Sequence, residues 1–176
     1  MPAAQAAART PGRVLAATDF SAAASPTLST AMRYADLLDG QLGIVHAVEF
    51  GAASATIPLT LDISLLESRS RDELERLVEL EGVSIAPDDR LLRRGRADEE
   101  IAEAAAAWHA DLLVVGSHGR GWIERLLIGS TTERLLNRLP TSLLVVPINK
   151  PAARRPAPQR ETPARRGRRR KGMVIL

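Results

Sequence analysis

The sequence predicts an α/β fold: a five-stranded parallel sheet with helices on both faces. Three observations carry that expectation. Short, almost wholly apolar runs such as Asp111–Val115 (DLLVV) have the composition of strands buried on both faces. Between such runs lie segments whose apolar residues recur at three and four positions, the helical period. The two kinds alternate as β-α-β-α-β-α-β-α-β, a pattern that closes through right-handed crossovers between parallel strands.

Residues 1–12 (MPAAQAAARTPG) are small, Pro-punctuated and without an apolar face, and are expected to form a disordered arm. Val14–Ala17 is the first strand, with Asp19 at its carboxyl end, where ligands of open α/β sheets gather. Ser25-Pro26 suits an N-cap and first turn; Leu28, Ala31, Met32, Ala35 and Leu38 then keep helical spacing until Gly40. Leu42–Val48 is the second strand, and His46 reads as a packed residue within it. After a Gly/Ala/Ser-rich connection from Gly51 to Ala55, Leu65, Leu66, Arg69, Leu74, Leu77 and Val78 keep the helical period up to Gly82. The many charges of that helix read as a solvated face.

Arg90–Arg94 is the third strand, and Asp98 opens a helix with Ile101, Ala104, Ala105 and Trp108 on one stripe. Trp108 is expected to fill core or groove. Asp111–Val115, the fourth strand, ends abruptly at Gly116. Gly119 and Gly121 follow, then a helix-like segment, then Gly129-Ser130-Thr131-Thr132 leading into a helical run that stops at Pro140. Ser142–Val146 is the last strand. It is apolar, and at an open edge it would be a liability that a partner chain would cover.

The glycine points bracket one expected pocket, and its physical chemistry suits an anion. A glycine-rich turn at the carboxyl end of a parallel strand leaves N–H groups unpaired, and a helix starting at Ser130-Thr131-Thr132 adds more at its positive dipole end. Without a Cβ, Gly116 and Gly119 let a phosphate approach the main chain, and Ser130 offers both an amide and a hydroxyl. The alternative is that these glycines only close turns.

Gly116-x-x-Gly119, nine intervening residues and Gly129-Ser130 resemble the nucleotide-binding signature of the universal stress proteins, ATP-binding subclass. Arg13–Ser21 (RVLAATDFS) resembles the first strand and loop of that family and Leu42–Val48 its second strand, so the resemblance spans about residues 12–148. It implies a Rossmann-like fold with strand order 3-2-1-4-5 and a ligand crevice between strands 1 and 4. Carried over by position, Val115, Gly116, Ser117, His118, Gly119 and Arg120 would form the phosphate loop. Gly129, Ser130 and Thr131 would close over the phosphates, and Thr18, Asp19 and Ala47 would sit near the adenosine. The implied cofactor is ATP, with or without Mg²⁺, and the implied assembly a homodimer through the Ser142–Val146 edge. Arg120 either neutralises phosphate or faces solvent, and Trp122 lies outside the motif and could meet a partner.

Rapid phosphoryl transfer is not expected, because the pattern G-x-x-x-x-G-K-[ST] is absent and Asp19 is the one acid expected near the phosphates. A serine hydrolase lacks its G-x-S-x-G elbow, and a related α-hydrolase its S-G-G-x-D-S loop. Binding, with at most slow hydrolysis, is the expectation. The alternatives are a dimeric interaction module and a nucleic-acid-binding protein driven by its tail.

With 176 residues the chain suits one domain, taken as residues 13–149, and a tail, 150–176. It has no cysteine, which rules out disulfides and thiolate metal sites, and His118 alone makes a poor metal ligand. No apolar run approaches a membrane span and no leader is evident, so a cytoplasmic location is expected. The net charge of +3 hides a division: residues 1–150 hold 15 basic and 20 acidic side chains, residues 151–176 nine and one. The first part is therefore at −5 and the tail at +8. Such a tail, basic from Arg154 to Lys171, is expected to be disordered and could meet an acidic partner, nucleic acid or membrane surface.

Overall fold

The computed structural model describes residues 12–49, 63–117, 129–139 and 141–147. The expected disorder at 1–11 and in the tail, the Gly51–Ala55 connection, and Gly121, Trp122 and Pro140 lie outside these residues. The elements are β1 (Arg13–Ala17), α1 (Ala24–Leu37), β2 (Gln41–Val48), α2 (Ile63–Glu81), a short 3₁₀ turn (Pro87–Asp89), β3 (Arg90–Arg94), α3 (Ala97–Ala107), β4 (Leu112–Gly116), α4 (Ser130–Leu136) and β5 (Ser142–Val146). All four strand pairings are parallel, in the order β3-β2-β1-β4-β5. The order reverses beside β1, so β1 and β4 are neighbours, and the helices α1 and α4 lie on opposite faces of the sheet, a topological switch point.

The period-two alternation of β1 divides the core. Val14 and Ala16 face α1 and α2, meeting Leu28, Ala31, Ile44, Leu74, Val78 and Val114. Leu15 and Ala17 face α3 and α4, meeting Val45, Ile101, Ala104, Trp108, Leu113, Val115 and Leu135. Both faces of the central strands are thus buried, which is why their sequences run apolar without alternation.

Trp108 packs in the core, and two details explain its place. Its indole Nε1–H donates to Asp89 at 2.8 Å, and a Cβ on Gly43 would come within 2.9 Å of its ring. Gly43 in the middle of β2 is thus a site of close approach. The Arg13 guanidinium lies 4.2 Å over the ring centroid.

Several boundaries differ from the sequence-based expectations, each for a local reason. α1 begins at Ala24, so Ser25 and Pro26 are inside its first turn and Ser25 is not the cap. Ser21 starts the turn instead: its hydroxyl accepts the Ala23 amide at 3.2 Å and its carbonyl the Ala24 amide at 2.9 Å. α3 begins at Ala97, one residue before Asp98. β4 runs from Leu112, the Asp111 amide and carboxylate both being engaged with the Arg13 backbone, and includes Gly116, which pairs with Val146 of β5. Gly12 is fixed to the sheet, its carbonyl accepting the Gln41 amide at 2.8 Å.

Among the described residues no helix is long and apolar enough to cross a membrane.

Candidate functional site

A cleft of about 640 Å³ opens at the carboxyl ends of β1, β2 and β4, within the range of small-molecule sites. Eight of the expected residues line it: Thr18, Asp19 and Ala47 on one side, Val115 and Gly116 at its floor, and Gly129, Ser130 and Thr131 on the other. Ser117 is buried beside it at the end of β4. His118, Gly119 and Arg120 lie outside the described residues.

The β1–α1 loop forms the first wall, and side-chain oxygens shape it. Thr18 Oγ1 accepts the Phe20 amide at 3.1 Å and Asp19 Oδ1 the Ser21 amide at 3.0 Å, two short turns in succession. Between them Phe20 takes a left-handed conformation, φ 59°. Its ring lies 4.2 Å from that of His46. The His46 Nδ1 is 2.8 Å from the Thr18 carbonyl, and since a carbonyl can only accept, Nδ1 carries the hydrogen. His46 packs within the strand as its sequence context suggests, and it also lines the cleft.

The second wall is the junction of β4 and α4. The Ser117 amide donates to Val146 at 2.8 Å, and its carbonyl accepts the Gly129 amide at 2.7 Å, so the two ends of segment 118–128 are clasped together. Gly129 therefore contributes conformation and space, its own amide being engaged. It caps α4 in an extended conformation with no side-chain bond. The amides of the first turn have no partner within the helix and stand beside the cleft. Thr132, buried at 5% exposure, donates its hydroxyl to the Gly116 carbonyl at 3.1 Å and so fixes α4 to β4. In the sequence Thr132 is legible only as part of the helix start.

A third group was not foreseen. Leu66, Arg69, Ser70 and Glu73 of α2 face the cleft, spaced as one helical stripe, where the expectation was a solvated face. The stripe's period was visible, but which element it would overhang depends on tertiary packing. Glu49 also lines the cleft and accepts the Ala97 amide at 2.7 Å, capping α3. The described lining thus carries Asp19, Glu49 and Glu73 against Arg69, so its side-chain charge does not favour an anion, and the donors it could offer one are backbone amides. Among the described residues no group of three or more His, Asp or Glu is placed to hold a metal ion.

Comparison with known proteins agrees with this fold. The model of the universal stress protein family matches residues 11–147. The chain is 36% identical over 115 residues to universal stress protein A homolog 2 of Coxiella burnetii, covering 62% of this chain and 76% of that one. It is 30% identical over 138 residues to a universal stress protein of Thermus aquaticus, covering 76% and 96%. Among solved structures, hypothetical protein MJ0577 superposes with a TM-score of 0.64 at 24% identity, covering 80% of this chain and 98% of that one. A universal stress protein in complex with cAMP superposes with a TM-score of 0.52 at 23% identity, covering 78% and 98%. Matched along the whole described sheet and through both walls of the cleft, the chain belongs to the universal stress protein family.

Proposed function

We propose that this protein binds an adenine nucleotide, ATP in the first place, and acts as a nucleotide-dependent regulatory protein of the stress response. The observation that carries the reading is the meeting of Thr18, Asp19, Ala47, Val115, Gly116, Gly129, Ser130 and Thr131 around one cleft at the switch point. The adenosine would lie against Thr18, Asp19 and Ala47, and the phosphates against the β4–α4 junction. Phosphates need donors that do not withdraw into water, and first-turn amides held by a buried Thr132 meet that need. His118, Gly119 and Arg120 would complete the phosphate loop. Mg²⁺ would accompany the triphosphate. The pattern G-x-x-x-x-G-K-[ST] is absent from the sequence, so hydrolysis would be slow at most. A neighbour that binds cAMP makes a cyclic monophosphate the second ligand to test. The direct test is to denature freshly purified protein and analyse the released small molecules by mass spectrometry. Adenine nucleotide at a substantial fraction of one per chain is the expected result.

The protein would act as a homodimer through β5. In the single chain Leu143, Leu144 and Val145 are only partly buried on an edge strand, while the opposite edge, β3, carries Arg90, Arg93 and Arg94. Charged edges resist pairing and apolar ones invite it. Sedimentation should show a dimer at micromolar concentration, and a monomer there would remove β5 as the interface.

A further inference from the structure

The geometry points to Asp98 as a positioning residue for the phosphate side of the cleft: it tethers α4 through Arg134 and Arg138, and so sets where Ser130 and Thr131 stand. The inference rests on the proposed nucleotide site, but the tether itself can be judged without ligand.

Asp98 is 1% exposed, an unusual burial for a carboxylate. Burying that charge is tolerable only with paired, well-placed donors. Three guanidinium groups converge on it. Arg96 Nη2 reaches both carboxylate oxygens at 3.0 and 3.1 Å. Arg134 Nη1 lies 3.7 Å from Oδ1, and Arg138 Nε 4.0 Å from Oδ2. Neighbouring Glu99 ties the group together, accepting Arg96 at 3.0 Å and Arg138 at 3.1 Å. Arg96 is local to α3, whereas Arg134 is on α4 and Arg138 just beyond its end, so two of the three bridge separate elements.

The consequence follows from how little else holds α4. It has seven residues, of which Thr132 and Leu135 are buried. Thr132 holds its first turn and Leu135 the middle, and the arginine contacts hold the outer face and the carboxyl end. Ser130, lining the cleft, is one helical turn before Arg134. Loosening the arginines should therefore let α4 pivot about its Thr132 and Leu135 anchors, shifting Ser130 and Thr131 relative to the cleft. A ligand's phosphates would feel that shift. Its adenosine, expected beside Thr18, Asp19 and Ala47 on the other wall, would not.

The test uses Asp98→Asn, which keeps shape and removes the charge, and Arg134→Gln/Arg138→Gln, which leaves Asp98 paired with Arg96 should the first variant fail to fold. Calorimetric affinities for ATP and adenosine and amide exchange across residues 130–138 are measured on each full-length variant. The expected result is an ATP affinity lowered about fivefold with adenosine changed less than about twofold, and faster exchange in 130–138 with α1 unchanged. Equal losses for the two ligands, or exchange in 130–138 as slow as in the unmodified protein, would overturn the inference. If the unmodified protein binds neither ligand, the nucleotide reading fails, and exchange in 130–138 alone decides the tether: faster supports it, unchanged refutes it.

Discussion

The two walls of the cleft are built on opposite plans. On the β1–α1 wall the side chains of Thr18, Asp19 and Ser21 each take a backbone amide two residues ahead, so the loop's donors are spent on its own shape. On the β4–α4 wall Gly129 brings no capping side chain, and the first-turn amides of α4 stay beside the cleft. A self-satisfied loop gives a rigid surface against which a flat, weakly charged group can pack. An uncapped helix start gives a field that suits anions. One end of the proposed nucleotide would suit each.

The largest effect expected from breaking this arrangement comes from the packing under the second wall. Leu135→Ala removes a side chain at 1% exposure from the α3/α4 face of the core, and should cost about 2–5 kcal/mol of stability in denaturant unfolding. At a temperature where the variant stays folded, ATP affinity should fall more than adenosine affinity. Asp19→Ala breaks the first wall instead. Losing the bond to the Ser21 amide should cost about 1 kcal/mol, and ATP and adenosine should weaken by similar factors, because the wall they share has changed. If ATP alone weakened, the division of labour between the walls would be wrong. Ser130→Ala should have the smallest effect, about twofold to threefold on ATP, since the amide remains when the hydroxyl is gone.

How far the sequence revealed this molecule can be seen from particular residues. The strands were legible because both faces of the sheet are covered: Val14–Ala17 and Ser142–Val146 are apolar at nearly every position. The expected order 3-2-1-4-5 agrees with the sheet observed. The start of α1 was misplaced because a helix can be opened by a residue three positions upstream, here Ser21, while Ser25-Pro26 fits the same local rule. Asp98 looked like a helix start, and local sequence cannot show that guanidinium groups 36 and 40 residues further on would converge on it. The stripe of Leu66, Arg69, Ser70 and Glu73 was hidden for a similar reason. A polar helix face reads alike whether it meets solvent or overhangs a cleft. For the site, spacing within one segment was informative and contacts between segments were not.

Nucleotide binding by the glycine-rich segment is tested by calorimetric titration of ATP into the unmodified protein and into Gly119→Val, with circular dichroism of both. A branched side chain in the phosphate loop would take space that the ligand's phosphates need. Nucleotide binding through these glycines predicts saturable binding to the unmodified protein and a loss of at least about tenfold, worth 1.4 kcal/mol, in a variant with the same fold. Equal binding by the two proteins, or none by the unmodified one, would contradict it and leave the glycines as turn formers in an interaction module.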